Sequence, residues 1–200
     1  MKKEDIFILI ISPFKTGTCY IEEILEKNEI KHNKLHGYNE IERKIYPIDK
    51  ITHVITLRRE LRRLYSSAFF EDIDKPEDYE YAYGTPDEVE KASVSDLVKH
   101  FKLIDWTKYR WLNNEHYDEI MDEFIKKGIP VLKLKTENLK NEIEQLPIFL
   151  GLDNMGLTYE KTHMGIESKY GEKYKLFLKQ VFKKRKFKKR KFKKRKFKTF

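Results

Sequence analysis

Apolar positions along this chain follow two alternating patterns. Residues 6–11 form an unbroken run, Ile-Phe-Ile-Leu-Ile-Ile, as in a strand buried on both faces. Pro13 and Gly17 break the run. Ile21, Ile24 and Leu25, with Tyr20, then recur at helical spacing over 19–28. Strand, tight loop and helix in that order open a βαβ unit. A second short strand is predicted at 30–35 and a third, β-branched, at 51–57, with Arg58 ending it. Leu61, Leu64, Tyr65, Ala68 and Phe69 next fall at i, i+3, i+4, i+7 and i+8, the spacing of an amphipathic helix.

Residues 74–86 are acidic, Tyr-rich and punctuated by Pro76, Gly84 and Pro86, which predicts a surface loop. Helices are predicted at 93–113 and 117–127, the second capped by Gly128. A fourth strand follows at 130–134, then a mostly helical stretch at 139–150 broken at Pro147. In a last helix at 171–182, Tyr174, Phe177, Leu178 and Val181 share a face. Strands alternating with helices predict a three-layer α/β domain over 1–182 with a mainly parallel central sheet.

Residues 183–200 depart from both patterns. From Phe182 the unit Phe-Lys-Lys-Arg-Lys occurs three times, and the chain closes on Phe197-Lys-Thr-Phe. A five-residue period advances a helix by roughly 140° net per repeat, so the rings point all round it. On a strand an odd period changes face each time. Neither structure buries them, and a disordered, basic, low-complexity tail is expected.

The tail changes the reading of the charge. The formal charge is +9, but 13 of the 42 Lys and Arg lie in 183–200, which has no acidic residue. What remains is 29 basic against 33 acidic residues, a mildly acidic body of net charge −4. Net charge therefore gives no ground for nucleic-acid binding by the folded domain. The tail itself can attract anionic lipid or phosphate backbones. A six-residue apolar run is too short to cross a bilayer, and no small-residue cleavage site follows it. The single cysteine, Cys19, leaves no intramolecular disulfide and no multi-cysteine metal site. The expectation is a cytoplasmic protein, peripheral to a membrane where the tail meets one.

The candidate chemistry sits after the first strand. Ser12-Pro13-Phe14-Lys15-Thr16-Gly17-Thr18 occupies the place of a phosphate-binding loop, with N–H groups converging at a helix start. Gly17 permits close approach, Lys15 brings a charge, and Thr16 and Thr18 bring hydroxyls. The order is not Walker A, in which Lys follows the second Gly; here Lys precedes Gly by two positions.

Lys-Thr-Gly-Thr resembles the 5′-phosphosulfate loop of the sulfotransferases that use 3′-phosphoadenosine 5′-phosphosulfate (PAPS), usually Pro-Lys-Ser-Gly-Thr-Thr. The stretch 54–70 is similar to that family's 3′-phosphate motif, in which an Arg ends a strand and a Ser follows eight residues later. Arg58 and Ser66 have that spacing, and Arg59 and Ser67 repeat it one residue on. Residues 129–140, with Phe149-Leu-Gly-Leu after them, are similar to the family's late strand, "EDL" turn and "FLGL" helix. Ser168-Lys-Tyr-Gly-Glu-Lys-Tyr resembles the final helix of bacterial and carbohydrate-type members. Three departures stand: Pro13 is two residues before Lys15 rather than one, Arg59-Glu60 replaces Asn-Pro or Asp-Pro, and the chain is short for the family.

The resemblance implies a P-loop-like fold and sulfuryl transfer from PAPS to a hydroxyl of a small molecule or glycan, with no metal. It places Lys15, Thr16, Gly17, Thr18, Cys19, Tyr20, Arg58 and Ser66 on the co-substrate. Lys15 neutralises the leaving phosphate and Arg58 forks onto the 3′-phosphate. Tyr20 has two roles open to it, stacking on adenine or packing on the helix's core face. His36, just after the second strand, stands where family members keep a general base, with Glu40 and Glu42 as substitutes; a surface-loop histidine is the plainer reading. His53 reads as a core histidine, while His163 is placed to line the co-substrate site. Trp106, Tyr109, Arg110 and Trp111 offer either sugar contacts or core packing. Two other functions compete: a nucleotide-binding P-loop phosphotransferase, for which no Gly-Lys-Ser/Thr is present, and an anionic-surface binder acting through the tail.

Overall fold

The computed structural model describes residues 2–13, 16–35, 48–70, 81–109, 112–157 and 166–183. Four parallel strands, β1 (Phe7–Ile11), β2 (Lys31–Leu35), β3 (His53–Arg58) and β4 (Val131–Lys135), form one sheet in the order β2-β1-β3-β4. Ile8, Leu9, Ile10 and Ile11 are wholly buried. That is the consequence of an apolar run placed in a central strand covered on both faces.

Two cores lie against the sheet. On one face, Ile8 and Ile10 of β1 and Ile55 and Leu57 of β3 pack on helix α1 (Thr18–Lys27) through Ile21, Ile24 and Leu25. On the other, Leu9, Ile11 and Val54 meet Tyr117, Ile120, Met121 and Phe124. The helix that carries these four is numbered α5 (Asn114–Lys126) in chain order. The α/β sandwich with an all-parallel sheet is as the pattern predicts.

A third core is helical and aromatic. It joins α2 (Leu61–Phe69), α3 (Pro86–Lys91), α4 (Val94–Leu103) and α8 (Ile166–Val181, non-helical at Gly171). Phe69 stacks on Phe177 at 5.4 Å between centroids, while Phe70 and Phe101 meet the Phe177 ring edge-on at 4.8 and 5.3 Å. Such pairs add about 0.5–1.5 kcal/mol each beyond the area they bury. The predicted face of Tyr174, Phe177, Leu178 and Val181 is the one α8 presents to this core.

Several expectations are corrected. The helix predicted at 93–113 ends at Leu103, because the Asp105 carboxylate accepts from the N–H and hydroxyl of Thr107 and starts a separate turn, Trp106–Lys108. Asn113 then caps α5, which begins three residues earlier than predicted. The stretch 139–150 breaks ahead of Pro147, into α6 (Leu139–Glu142) and α7 (Gln145–Leu150). Pro147 has no N–H to give the Ile143 carbonyl, so a new first turn starts there. Two residues depart from the predicted surface loop: Tyr81 is buried and Pro86 opens α3, while 82–85 are partly exposed. A capping box of Thr85 and Glu88 with Pro at N1 was the legible sign of that helix. Leu61, assigned to the buried face of α2, is 42% exposed.

Trp106 and Tyr109 are core aromatics: Trp106 stacks on Tyr65 at 4.9 Å, and Tyr109 lies edge-on to Tyr81 at 5.2 Å. Arg110, Trp111, His163 and the tail beyond Lys183 lie outside the described residues. Among the described residues no helix is long and apolar enough to cross a membrane.

Phe177→Ala is expected to cost roughly 3–5 kcal/mol, read from urea denaturation, because it empties the centre of the aromatic core. His53 is a core histidine, its Nδ1 3.0 Å from the Thr52 hydroxyl and its ring edge-on to Phe149. Burial holds its pKa below the ordinary 6.5. The unfolded chain therefore takes up a proton that the native state resists. Its contribution is complete above about pH 6.5 and declines as the pH falls below it. The melting temperature should drop between about pH 7 and 5, and His53→Gln should flatten that slope.

Candidate functional site

The strand order fixes where a ligand can enter. The connection leaving β1 runs through α1 to β2 on one side, and the connection leaving β3 runs through α2–α5 to β4 on the other. Between β1 and β3 the two chains part at the C-terminal edge of the sheet, the crevice that open α/β sheets use for ligands. Ser12 sits at the parting. Its N–H donates to the Leu35 carbonyl at 3.4 Å, and its hydroxyl accepts from the Leu57 N–H at 2.7 Å. The side chain thus extends the β1–β3 ladder while the backbone turns away into the loop.

In that loop, Gly17 is the N-cap of α1 with φ +88°, a left-handed conformation that other L residues adopt at a cost. Among the described residues, three loop carbonyls are taken. The Thr16 hydroxyl donates to Pro13 O at 2.8 Å, the Thr136 hydroxyl to Thr16 O at 2.6 Å, and the Tyr20 N–H to Gly17 O at 3.1 Å. No side chain caps α1, and its first turn holds no acidic residue. Side chains do cap α3, α4 and α5, each of which carries acid in its first turn. With the Pro13, Thr16 and Gly17 carbonyls taken and neither a side-chain cap nor an acidic residue at the start of α1, the described part of the loop lies at the positive end of a helix dipole.

The site residues expected from sequence are placed as follows. Thr16 and Thr18 are buried, and the Thr16 hydroxyl is spent on the Pro13 carbonyl. Gly17 and Cys19 are exposed, and Tyr20 is half-buried against the α1-side core. Near Cys19, Lys34 at the end of β2 has Nζ 3.7 Å from Sγ and pairs with Glu22. Burial pulls the lysine's pKa down, but its bond to Glu22 and the neighbouring sulfur outweigh this and hold it above its ordinary value. Lys15, His36, Glu40 and Glu42 lie outside the described residues.

The arginine–serine pair shifts register. Arg58 points to the α5 face and pairs with Asp118, which Lys133 also contacts at 3.2 Å. Ser66 turns into the helical core: its hydroxyl meets the Tyr174 hydroxyl at 2.9 Å and donates to the Arg62 carbonyl. The structure instead brings together Arg59 and Ser67, with Nη1 donating to Oγ at 2.9 Å. Arg59 is held on its backbone too. Its carbonyl accepts from Asn114 Nδ2 at 2.8 Å, and the following N–H, of Glu60, donates to Glu137 Oε1 at 2.9 Å. The buried Oδ1 of Asn114 has no hydrogen-bond partner among the described residues, leaving an acceptor beside this arginine.

Asn114, Thr136 and Glu137 are site residues that sequence reasoning passed over as individuals. The "EDL" turn was the one sign for the last two, and nothing local marks Asn114. Among the described residues no cluster of His, Cys, Asp and Glu has metal-holding geometry.

Gly17→Ala is expected to lose about 1–2 kcal/mol of stability through its left-handed φ. Crowding contributes little, since an added Cβ meets Leu139 and Thr136 at ordinary distances of 3.7 and 3.8 Å. Equal stability of the two proteins by chemical denaturation would show that the loop relaxes freely.

Comparison with protein-family models, curated proteins and solved structures gives no match to this chain.

Proposed function

We propose that this domain binds an adenosine nucleotide carrying both 3′- and 5′-phosphates and transfers a sulfuryl group from PAPS to an acceptor hydroxyl. The observation that carries the reading is the pinned Arg59. Three side chains from three elements, Ser67, Asn114 and Glu137, fix its fork and its backbone. It follows β3 directly, and β3 is the strand whose Leu57 N–H is tied to the start of the loop by Ser12. A donor-rich loop and a preorganised guanidinium on adjacent strands suit two phosphates on one molecule.

Sulfuryl transfer asks for positioning and for charge stabilisation on the departing phosphate. In this reading the acceptor oxygen attacks sulfur in line as the bond to the 5′-phosphate oxygen breaks. The N–H groups at the start of α1 hold the 5′-phosphate oxygens. Arg59, assisted by Ser67, takes the 3′-phosphate. Arg58, neutralised by Asp118, belongs to the α5 face. Lys15 has its role from the Lys-Thr-Gly-Thr resemblance, against the bridging oxygen. His36, or Glu40 or Glu42, takes the acceptor's proton on the same footing.

Calorimetric titration with adenosine 3′,5′-bisphosphate tests the reading. The wild-type protein should bind it more tightly than adenosine 5′-monophosphate. Arg59→Ala should remove most of that preference, a loss on the order of ten- to a hundredfold for one charge-assisted pair. Arg58→Ala should change it little. Lys15→Ala should abolish transfer from PAPS while circular dichroism stays that of the wild type. A protein that binds both nucleotides equally, or neither, would falsify the proposal.

A further inference from the structure

The turn after β4 touches both halves of the crevice. Thr136 and Glu137 are adjacent, yet the Thr136 hydroxyl bonds the Thr16 carbonyl in the loop and the Glu137 carboxylate takes the Glu60 N–H next to Arg59. These are contacts across 120 and 77 residues of chain. The same turn lies against the loop's left-handed residue, with Thr136 Cγ2 and Leu139 Cδ2 within 4 Å of where a Gly17 Cβ would stand. Its own base is fixed as well: the Lys135 N–H bonds the Glu142 carboxylate, and Lys135 is in register with Arg58 at the end of the β3–β4 ladder.

We infer that Thr136 and Glu137 act as a bracket that sets the separation between the phosphate loop and Arg59, and so select for a bisphosphate of matching span. The inference rests on the nucleotide reading above. Its physical basis is effective concentration. Once one phosphate is seated, the second binds intramolecularly, and the gain is large only if the two subsites are held at the ligand's own spacing. A monophosphate uses one subsite at a time and is indifferent to that spacing. Thr136 and Glu137 touch no phosphate in this account. They are positioning residues that act through Thr16 and Arg59.

The test measures affinity for adenosine 3′,5′-bisphosphate and for adenosine 5′-monophosphate in the full chain, and takes their ratio. Thr136→Val and Glu137→Ala each remove one tether, whereas Thr136→Ser and Glu137→Gln keep an equivalent hydrogen-bonding oxygen. Thermal melting confirms folding of each variant, and Thr136→Val decides alone if Glu137→Ala does not fold. The expected result is a fall of about tenfold in the ratio for either broken tether. The Ser and Gln variants should restore it, and the double variant Thr136→Val/Glu137→Ala should fall little further, since one cut already frees the spacing. A turn that merely supports the fold would weaken both nucleotides equally or leave the ratio untouched, and that result overturns the bracket alone. A wild-type protein without preference for the bisphosphate overturns the nucleotide reading, and the bracket with it.

Discussion

Strand β1 is hydrogen-bonded on both edges and covered on both faces, and the rest of the molecule is arranged around that confinement. A strand so enclosed can leave the sheet only at its end. There its neighbours β2 and β3 still have N–H and C=O groups to satisfy. Ser12 answers both, with its own N–H toward Leu35 and its hydroxyl toward Leu57. An unpaired buried backbone group costs about 1–3 kcal/mol, so a small hydroxyl at this one position lets the chain turn out of the core at low cost. The crevice is the space that turn opens.

The helical aromatic core has its own part in the site. It anchors α2 at its C-terminal end through Phe69 and Phe70, and at Ser66 through the Tyr174 hydroxyl. With the helix pinned on α8, successive residues differ by about 100° around its axis. Ser66 must then face the core, and Ser67 is carried round toward the end of β3, where Arg59 meets it. Helix α8 therefore decides which serine the arginine receives.

This explains what could and could not be read from sequence. Strands β1 and β3 and helix α1 were legible because burial on two faces, or on one helical stripe, writes itself into local apolar spacing: the run at 6–11, and Ile21, Ile24 and Leu25. Which arginine hydrogen-bonds which serine was not. Arg58 and Arg59 are adjacent, Ser66 and Ser67 are adjacent, and both pairs have the same spacing of eight. The choice is made by Asp118, which occupies Arg58, and by Tyr174, which occupies Ser66. Neither is near in sequence. The helix predicted at 93–113 failed for the opposite reason. Apolar spacing continued through Trp106, Tyr109 and Leu112, while a single aspartate, Asp105, was enough to stop the helix.

The polarity of the loop follows from the same accounting of backbone groups. Every residue but proline brings one backbone donor and one acceptor, and backbone attracts anions where its acceptors are used elsewhere and its donors are not. Here Pro13, Thr16 and Gly17 give up their carbonyls to Thr16, Thr136 and Tyr20 respectively. One of these acceptors is claimed from within the loop by a side chain, one from within by a helical N–H, and one from outside by a residue beyond β4. The first two form with the local turn. The third forms only when β4 has docked on β3, because Thr136 follows directly from that strand. Until then the Thr16 carbonyl would face the crevice and oppose an anion. On the proposed reading, then, anion affinity belongs to the assembled sheet rather than to the loop's own sequence, because the Thr16 carbonyl is taken up only from beyond β4.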